Sequence, residues 1–346
     1  MLFKTLITSA TYVACVTALP SYALDLKQGD IVEVTLNQLH PTQPSVGYDQ
    51  IMYKLGRYQF DREKMYDEIC EANGQKGVSS IQNNAHPNIA NTFQCDDPVG
   101  THKKDMKTIV IAPDGDYYLT DGHHTFNAFY QMSDGGADFR INVVIDKDYR
   151  NLNSMETFWK MIKKDGNVWL LDETGNSISG QNLPQSLGIT QFTNDPYRSL
   201  MYFSRDVGWD KPKDPIPFLE FYWAKELRNQ IDISAFDLNS MTGYEEAIRA
   251  NSNAILGIKS SNIGDSQRSA KAMGQFSGFN QKGLDKLLKK NGKVDYMLRY
   301  KTSASGQGLS YDLTVKTAPT LKMIDTTTLA VNRSFNHHPA ITKEGK

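Results

Sequence analysis

The sequence predicts an α+β protein in which a small sheet comes first and a mainly helical half follows. Strand-like segments concentrate before residue 150, whereas the later segments have apolar residues at helical spacing. Strands followed by a run of helices are typical of the α+β class. We expect a sheet domain at 24–150, a helical extension packed on it at 151–310, and a weakly patterned, Thr-rich tail at 311–346.

Residues 1–23 have the three parts of a secretory signal peptide. Lys4 supplies the positive charge, Leu6 to Leu19 form a mostly apolar run, and Ser21 and Ala23 give the small-x-small cleavage pattern. We therefore expect cleavage after Ala23 and a periplasmic or secreted product. No later apolar run is long enough to cross a membrane, so no span is expected in the mature chain.

Two alternatives to cleavage after Ala23 are weaker. An uncleaved membrane anchor needs roughly 20 apolar residues, more than this run provides. A lipoprotein modified at Cys15 needs a leucine-like residue three positions earlier, where Tyr12 stands.

The charge and cysteine content of the mature chain are consistent with an exported protein of balanced charge. The formal net charge is −1, and it becomes −2 once Lys4 is removed. This balance gives no general attraction to polyanions. Cys70 and Cys95 are the cysteines of the mature chain. In an oxidising compartment they favour one disulfide, with two unpaired buried thiols as the alternative.

The elements of the first half follow from local patterns. The strand-like segments are DIVEVTLNQLHP, MKTIVI, DYYLT and FRINVVIDKD. The helical segments are PTQPSVGYDQIMYKLGRYQF, DREKMYDEICEANG and HHTFNAFYQM. Asp61 is expected to cap the second helix, and Ser45 or Thr42 the first. Residues 75–100 are polar and predict a long loop, tied by the disulfide.

The second half is predicted to be mainly helical after one short hairpin, VWLLDETGNSI. The helical segments are NSMETFWKMIKKDG, DPYRSLMYFSRDVG, IPFLEFYWAKELRNQ, TGYEEAIRANSNAIL and QKGLDKLLKK. Ser154 or Asn153 can cap the first of these, and Asp195 followed by Pro196 is a typical start for the second.

The stretch YLTDGHHTFNAF, from Tyr118 to Phe129, is the strongest candidate site. Asp121 and Gly122 lie where a strand turns into a helix, and the first N–H groups of that helix have no partners within it. Such a turn is suited to binding a phosphate. His123 and His124 at the helix start could contact the anion or exchange a proton near neutral pH. Metal chelation by the pair is weaker, since adjacent helical side chains point about 100° apart. In the alternative reading, Asp121 caps the helix and the histidines only fill space.

With its neighbours, this stretch resembles the signature of the ParB/sulfiredoxin superfamily, in particular the ParB-like proteins grouped as nucleases. The segments LHPTQPSVGYDQIMYK, NDPYRSL and PFLEFYWAKELR are similar to other motifs of that family. The resemblance covers roughly residues 30–230 and implies a small mixed sheet with helices. It also implies phosphate binding at Gly122, while Thr125 stands where the family usually has arginine. The Thr125 hydroxyl is still expected to hydrogen-bond the phosphate, although it brings neither the charge nor the fork of a guanidinium.

From this resemblance we expect an exported hydrolase acting on a phosphodiester or another phosphorylated substrate, nucleic acid included. His123 or His124 would act as general acid or base, and Asp121 would orient the site or hold a divalent metal such as Mg²⁺. The alternatives are a nucleotide-dependent phosphotransferase resembling free-serine kinases and a non-catalytic protein that binds a phosphorylated ligand. Nothing in the sequence predicts a protein partner.

Further charged residues could reach the anion. Lys54 follows the Pro-Thr-Gln segment, and Arg198 lies in the first turn of its helix; both are expected to bind phosphate, although a lone lysine is usually a surface residue. Glu220 lies among aromatic residues and would have a raised pKa if buried. The basic residues around QKGLDKLLKK could bind nucleic acid or form a solvated face. They are Lys282, Lys286, Lys289, Lys290 and Lys293.

Overall fold

The computed structural model describes residues 26–89 and 91–306. The strands are β1 (Ile31–Thr35), β2 (Leu39–Pro41), β3 (Ser45–Val46), β4 (Val78–Ile81), β5 (Phe93–Cys95), β6 (Thr108–Ile111), β7 (Tyr117–Leu119), β8 (Arg140–Asp148) and β9 (Thr193–Asn194). The helices are α1 (Tyr48–Phe60), α2 (Arg62–Ala72), α3 (His123–Gln131), α4 (Met155–Lys164), α5 (Pro196–Ser204), α6 (Leu219–Leu227), α7 (Met241–Gly257), α8 (Gln281–Leu288) and α9 (Lys293–Gly306). This confirms the predicted α+β class. The predicted signal peptide and the tail at 311–346 lie outside the described residues.

A five-stranded mixed sheet forms the first layer, in the order β1-β8-β6-β7-β2. β7 is antiparallel to β6 and parallel to β2. As a result, the end of β7, the end of β2 and the beginning of β6 meet at one edge of the sheet. The predicted single strand at 30–41 is wrong, because a 3-10 turn at Leu36–Gln38 divides it into β1 and β2.

The helical half packs around its own apolar core. Trp209 and Trp223 are fully buried there, and their indole N–H groups donate to the carbonyl oxygens of Met201 and Met273. Helix α1 joins the two halves, since it contacts α2 and α3 on one side and α5 and α9 on the other. At Gly56 of α1, an added Cβ would collide with the α9 backbone, so this close packing requires glycine.

The predicted capping residues are largely confirmed. The side chains of Asp61, Ser154 and Asp195 accept backbone N–H groups at the starts of α2, α4 and α5. Helix α1 is the exception, because its N-cap is Gly47, which has no side chain to offer. The first-turn N–H groups of α1 instead bond to Asn194 and Ser199.

Cys70 and Cys95 form the predicted disulfide, which links α2 to β5. The polar stretch at 75–100 is therefore more ordered than predicted, since β4 and β5 pair within it as a short antiparallel ladder. The predicted hairpin at 168–178 is reduced to one isolated bridge between Leu171 and Ser177. Within the described segments, no helix combines the length and apolar character that a membrane crossing requires.

Candidate functional site

The Asp-Gly-His-His turn borders a cleft of about 530 Å³ between the sheet edge and the helical half. Sheet topology places it there, because β7 runs directly into Asp121 and Gly122. Helices α1, α5 and α6 contribute the other walls. Each residue predicted to bind phosphate, Gly122, Thr125, Lys54 and Arg198, borders this cleft, as do Asp121, His123 and His124.

Gly122 has the backbone geometry that the turn requires. Its φ of 100° lies in the left-handed region, where it precedes the first residue of α3 as the N-cap. A Cβ at this position would also lie 2.6 Å from Cγ of Lys107. Glycine therefore lets Lys107 cross close to the turn, while the N–H groups of the first turn of α3 point towards the cleft.

Both histidines are buried, and each accepts a backbone hydrogen bond. Nε2 of His123 accepts the N–H of Thr42 at 3.1 Å, and Nε2 of His124 accepts the N–H of Gly47 at 3.0 Å. An imidazole nitrogen that accepts carries no proton, so the neutral rings have their proton on Nδ1. Burial lowers the pKa of His123 to about 3 and that of His124 well below its ordinary value. At neutral pH both rings are uncharged, and both border the cleft.

Asp121 stands at the mouth of the cleft with a side chain that is 67% exposed. Its carboxylate is 3.5 Å from Nζ of Lys107. Lys107 directly precedes β6, the strand that pairs with β7. Surrounding protein acts to raise the pKa of Asp121, but Lys107 and Lys211 lower it more, so the carboxyl group is ionised.

Thr125 and Lys54 meet at a buried carboxylate. The hydroxyl of Thr125 lies 3.4 Å from Oε1 of Glu68, which also pairs with Lys54 and with Arg57. Burial lowers the pKa of Lys54, although Glu68 acts in the opposite direction. Burial acts to raise the pKa of Glu68, but Lys54 and Arg57 hold it below its ordinary value. Lys54 therefore brings a cation from α1 to the same carboxylate oxygen that the Thr125 hydroxyl faces.

Arg198 and Arg205 form the opposite wall with Glu220. Arg205 pairs with Glu220, and an Nη of Arg198 lies 3.8 Å from the same carboxylate. Burial acts to raise the pKa of Glu220, but Arg198 and its cationic neighbours lower it to about 2, so the predicted raised pKa is wrong. The Nε atoms of both arginines are buried and have no hydrogen-bond partner among the described residues. Asp195 is a cap, as expected, and also pairs with Arg228.

The cleft has an excess of positive charge. Its cations are Lys54, Lys107, Arg198, Arg205 and Lys211, and its anions are Glu68, Asp121 and Glu220. Five positive against three negative charges leave a net charge of +2, with both histidines neutral. A cleft with this excess of positive charge and with a helix N-terminus on its wall favours an anionic ligand.

Sequence reasoning missed Lys107, Glu68, Arg205 and Lys211 as cleft residues. Lys107 could have been found, since antiparallel pairing of the neighbouring predicted strands MKTIVI and DYYLT brings it opposite Asp121. Glu68 lies on α2, Arg205 directly follows α5, and Lys211 lies on the loop between α5 and α6. They reach the cleft through long-range packing, which the local pattern does not contain.

The cleft does not fit a metal held by the protein alone. Within residues 26–89 and 91–306, no group of three histidine, cysteine, aspartate or glutamate side chains could hold a metal ion. Asp121 faces Lys107, and both histidine Nε2 atoms are occupied by backbone N–H groups. The predicted metal role of Asp121 therefore lacks the further ligands that a protein site needs.

The candidate site lies within the part of the chain that matches a known protein family. A family model with the description "Putative ParB-like nuclease" matches residues 32–229, more than half of the chain. Among solved structures, protein Atu1540 from Agrobacterium tumefaciens is 21% identical with a TM-score of 0.45; the alignment covers 65% of this chain and 92% of that one. Curated proteins gave no match.

Proposed function

The chain belongs to the ParB-like family described as "Putative ParB-like nuclease", and from this premise we propose that it hydrolyses a phosphodiester or another phosphorylated substrate. The phosphate would lie at the N-terminus of α3. The observation that carries the proposal is the net positive cleft that surrounds this helix terminus, with Gly122 in the conformation that exposes it.

The two histidines would serve this site as neutral donors. With Nε2 occupied by a backbone N–H, Nδ1 is the nitrogen that can donate to a phosphate oxygen. A base with a pKa of about 3, as for His123, is too weak to remove a proton efficiently near neutral pH. The general acid or base role predicted for the pair thus requires a rise in pKa when an anion binds.

Asp121 is the better candidate for orienting an attacking water molecule. It is ionised and exposed at the cleft mouth. Lys107, Arg198 and Lys54 would neutralise charge that develops on the phosphoryl oxygens, because each borders the same cleft. A divalent ion would need oxygen ligands from the substrate in addition to Asp121, as is common for Mg²⁺.

We further propose that the protein works after export. The signal-like residues 1–23 carry this proposal, and the Cys70–Cys95 disulfide supports it, because disulfides persist in oxidising compartments. N-terminal sequencing of exported material should give Leu24 as the first residue. Recovery of the intact Met1 terminus would contradict export by cleavage.

The activity can be tested with the mature chain on single- and double-stranded DNA and RNA and on a chromogenic phosphodiester, with and without Mg²⁺. Asp121→Asn removes the charge with little change of shape and should reduce hydrolysis by about 100-fold or more. Lys160→Met is the control, since Lys160 lies on an exposed face of α4 and pairs with Glu156.

Calorimetry with inorganic phosphate separates binding from chemistry. Phosphate binding without hydrolysis of any substrate would favour the non-catalytic alternative. If the protein shows no phosphate binding and no hydrolysis, the proposed function is refuted.

A further inference from the structure

We infer that the cleft continues past Tyr202 to a second phosphate-binding position at Lys293. Its ligand would then be an extended phosphodiester strand and not a single phosphorylated small molecule. This inference rests on the proposed phosphate binding at the N-terminus of α3 and names the substrate class of the same cleft.

The ring of Tyr202 connects Lys293 to the cleft. Tyr202 and Arg205 both border the cleft. The guanidinium of Arg205 lies 5.5 Å from the centre of the Tyr202 ring, and Nζ of Lys293 lies 4.6 Å from it. Two cations thus share one aromatic ring, and Lys293 is one side chain away from the cleft wall.

The surroundings of Lys293 are unfavourable for a cation. It is half-buried, and it is the first residue of α9, where the helix dipole is positive. Burial, Arg205, Lys286 and Lys54 lower the pKa of Lys293 to about 8, while Asp206 is the carboxylate that acts against them. Within the described part of the chain, no carboxylate forms an ion pair with Lys293; its close contact is the face of Tyr202.

Folding alone does not explain a lysine at this position. An apolar side chain could pack on Tyr202 without the cost of partly burying a charge near other cations. A bound phosphate would instead complement the positive charges of Lys293 and Arg205 together. The geometry therefore favours an anion on this side of the cleft, in addition to one at α3.

The basic residues of α8 extend the same positive surface. Lys286 acts on Lys293 electrostatically, and Lys282, Lys289 and Lys290 are exposed nearby along the chain. This segment lies beyond the matched residues 32–229.

The test compares a long and a short anion on the mature chain. A fluorescent single strand of about 12 nucleotides, as DNA and as RNA, and inorganic phosphate are titrated at several salt concentrations. Lys293→Met keeps the chain length and the contact with the ring. We expect it to weaken strand binding about fivefold to tenfold and to reduce the slope of log affinity against log salt by about 0.7. Phosphate affinity should be unchanged.

Three further variants make the result specific. Lys293→Arg keeps the charge and should keep strand affinity. Lys286→Met changes an exposed residue and should also reduce the salt slope, so it replaces Lys293→Met if that variant fails to fold. Lys160→Met, on α4, removes a lysine away from the cleft and should leave the slope unchanged.

The outcomes separate this inference from the proposed function. If the unmodified protein binds phosphate but holds the strand no more tightly than a mononucleotide, the inference is wrong and the proposed function remains. If the salt dependence of strand binding is unchanged in both Lys293→Met and Lys286→Met, the inference is likewise wrong and the proposed function remains. Tighter binding of anionic lipid vesicles than of either strand would identify a membrane surface as the ligand and overturn the inference. Absence of phosphate binding refutes both.

Discussion

Nε2 of His124 accepts the backbone N–H of Gly47 at 3.0 Å, and this bond joins the start of α3 to the start of α1. His123 makes the equivalent bond with Thr42 at the end of β2. The two rings thereby fix both ends of the Thr42–Gly47 segment against the cleft. Adjacent residues on a helix face different directions, and here they hold two different points of one segment.

Loss of the His124 acceptor should therefore destabilise the fold. His124→Ala leaves the buried N–H of Gly47 without a partner, which costs about 1–3 kcal/mol, and a cavity adds to this. His124→Gln can place an amide oxygen near the former Nε2 position and should recover part of the loss. Denaturant unfolding measures both. His40→Gln is the control, since His40 lies near the surface beside Asp116. Equal stability of His124→Ala and the control would show that the bond contributes little.

The same burial predicts a fall in stability with acid. The pKa of His123 drops from an ordinary 6.5 to about 3 in the folded protein, so only the unfolded chain gains this proton just below pH 6.5. The contribution of the neutral His123 ring to stability is complete above pH 6.5 and is lost as the pH falls towards 3. Each such histidine should lower the free energy of unfolding by about 1.4 kcal/mol per pH unit.

Unfolding midpoints measured between pH 7 and pH 5 test this dependence, because the ordinary pKa values of carboxyl groups lie below that range. The free energy of unfolding of His123→Gln should fall less steeply with decreasing pH than that of the unmodified protein. The difference in slope should correspond to one proton. Parallel pH profiles for the two proteins would mean that His123 takes up a proton in the fold.

The local character of the main elements could be predicted from the sequence. The caps at Asp61, Ser154 and Asp195 and the strand–turn–helix at Gly122 depend on residues within one helical turn of each other. The 3-10 turn within 30–41 was missed because Leu36 continues the alternation of Val32 and Val34, which also fits a strand. Its ends are set by contacts with 137–139 on a distant segment.

The candidate site could be predicted only in part. Its histidines were found, but their neutral state depends on acceptor bonds to Thr42 and Gly47, about 80 residues away. Glu220 shows the same limitation. The aromatic residues around it in the sequence suggested a raised pKa, whereas Arg198 and Arg205, brought in by α5, lower it.

The disulfide should make a measurable contribution to stability. Cys70 and Cys95 are separated by 25 residues, and closing such a loop stabilises the fold by about 3–4 kcal/mol on the chain-entropy model. Cys70→Ala/Cys95→Ala should lower the free energy of unfolding by that order. Thiol titration of the native protein should give no free thiol from this pair. Two titratable thiols, or a variant as stable as the oxidised protein, would contradict the expectation.

The last prediction concerns the cation that is missing at residue 125. The family resemblance implies an arginine there, while here the Thr125 hydroxyl faces Glu68 and Lys54 brings a positive charge from α1 to the same carboxylate. Lys54→Met should weaken phosphate binding by about tenfold, since a charged hydrogen bond contributes roughly 1.5–3 kcal/mol. Thr125→Arg alone should not strengthen binding, because the new guanidinium would crowd Lys54 and Arg57 around one carboxylate. The double variant Lys54→Met/Thr125→Arg should recover much of the lost affinity, because Glu68 again has two cationic partners. Calorimetry on the four proteins gives the coupling energy between the two positions. Additive effects, or tighter binding by Thr125→Arg alone, would show that Lys54 does not replace the arginine.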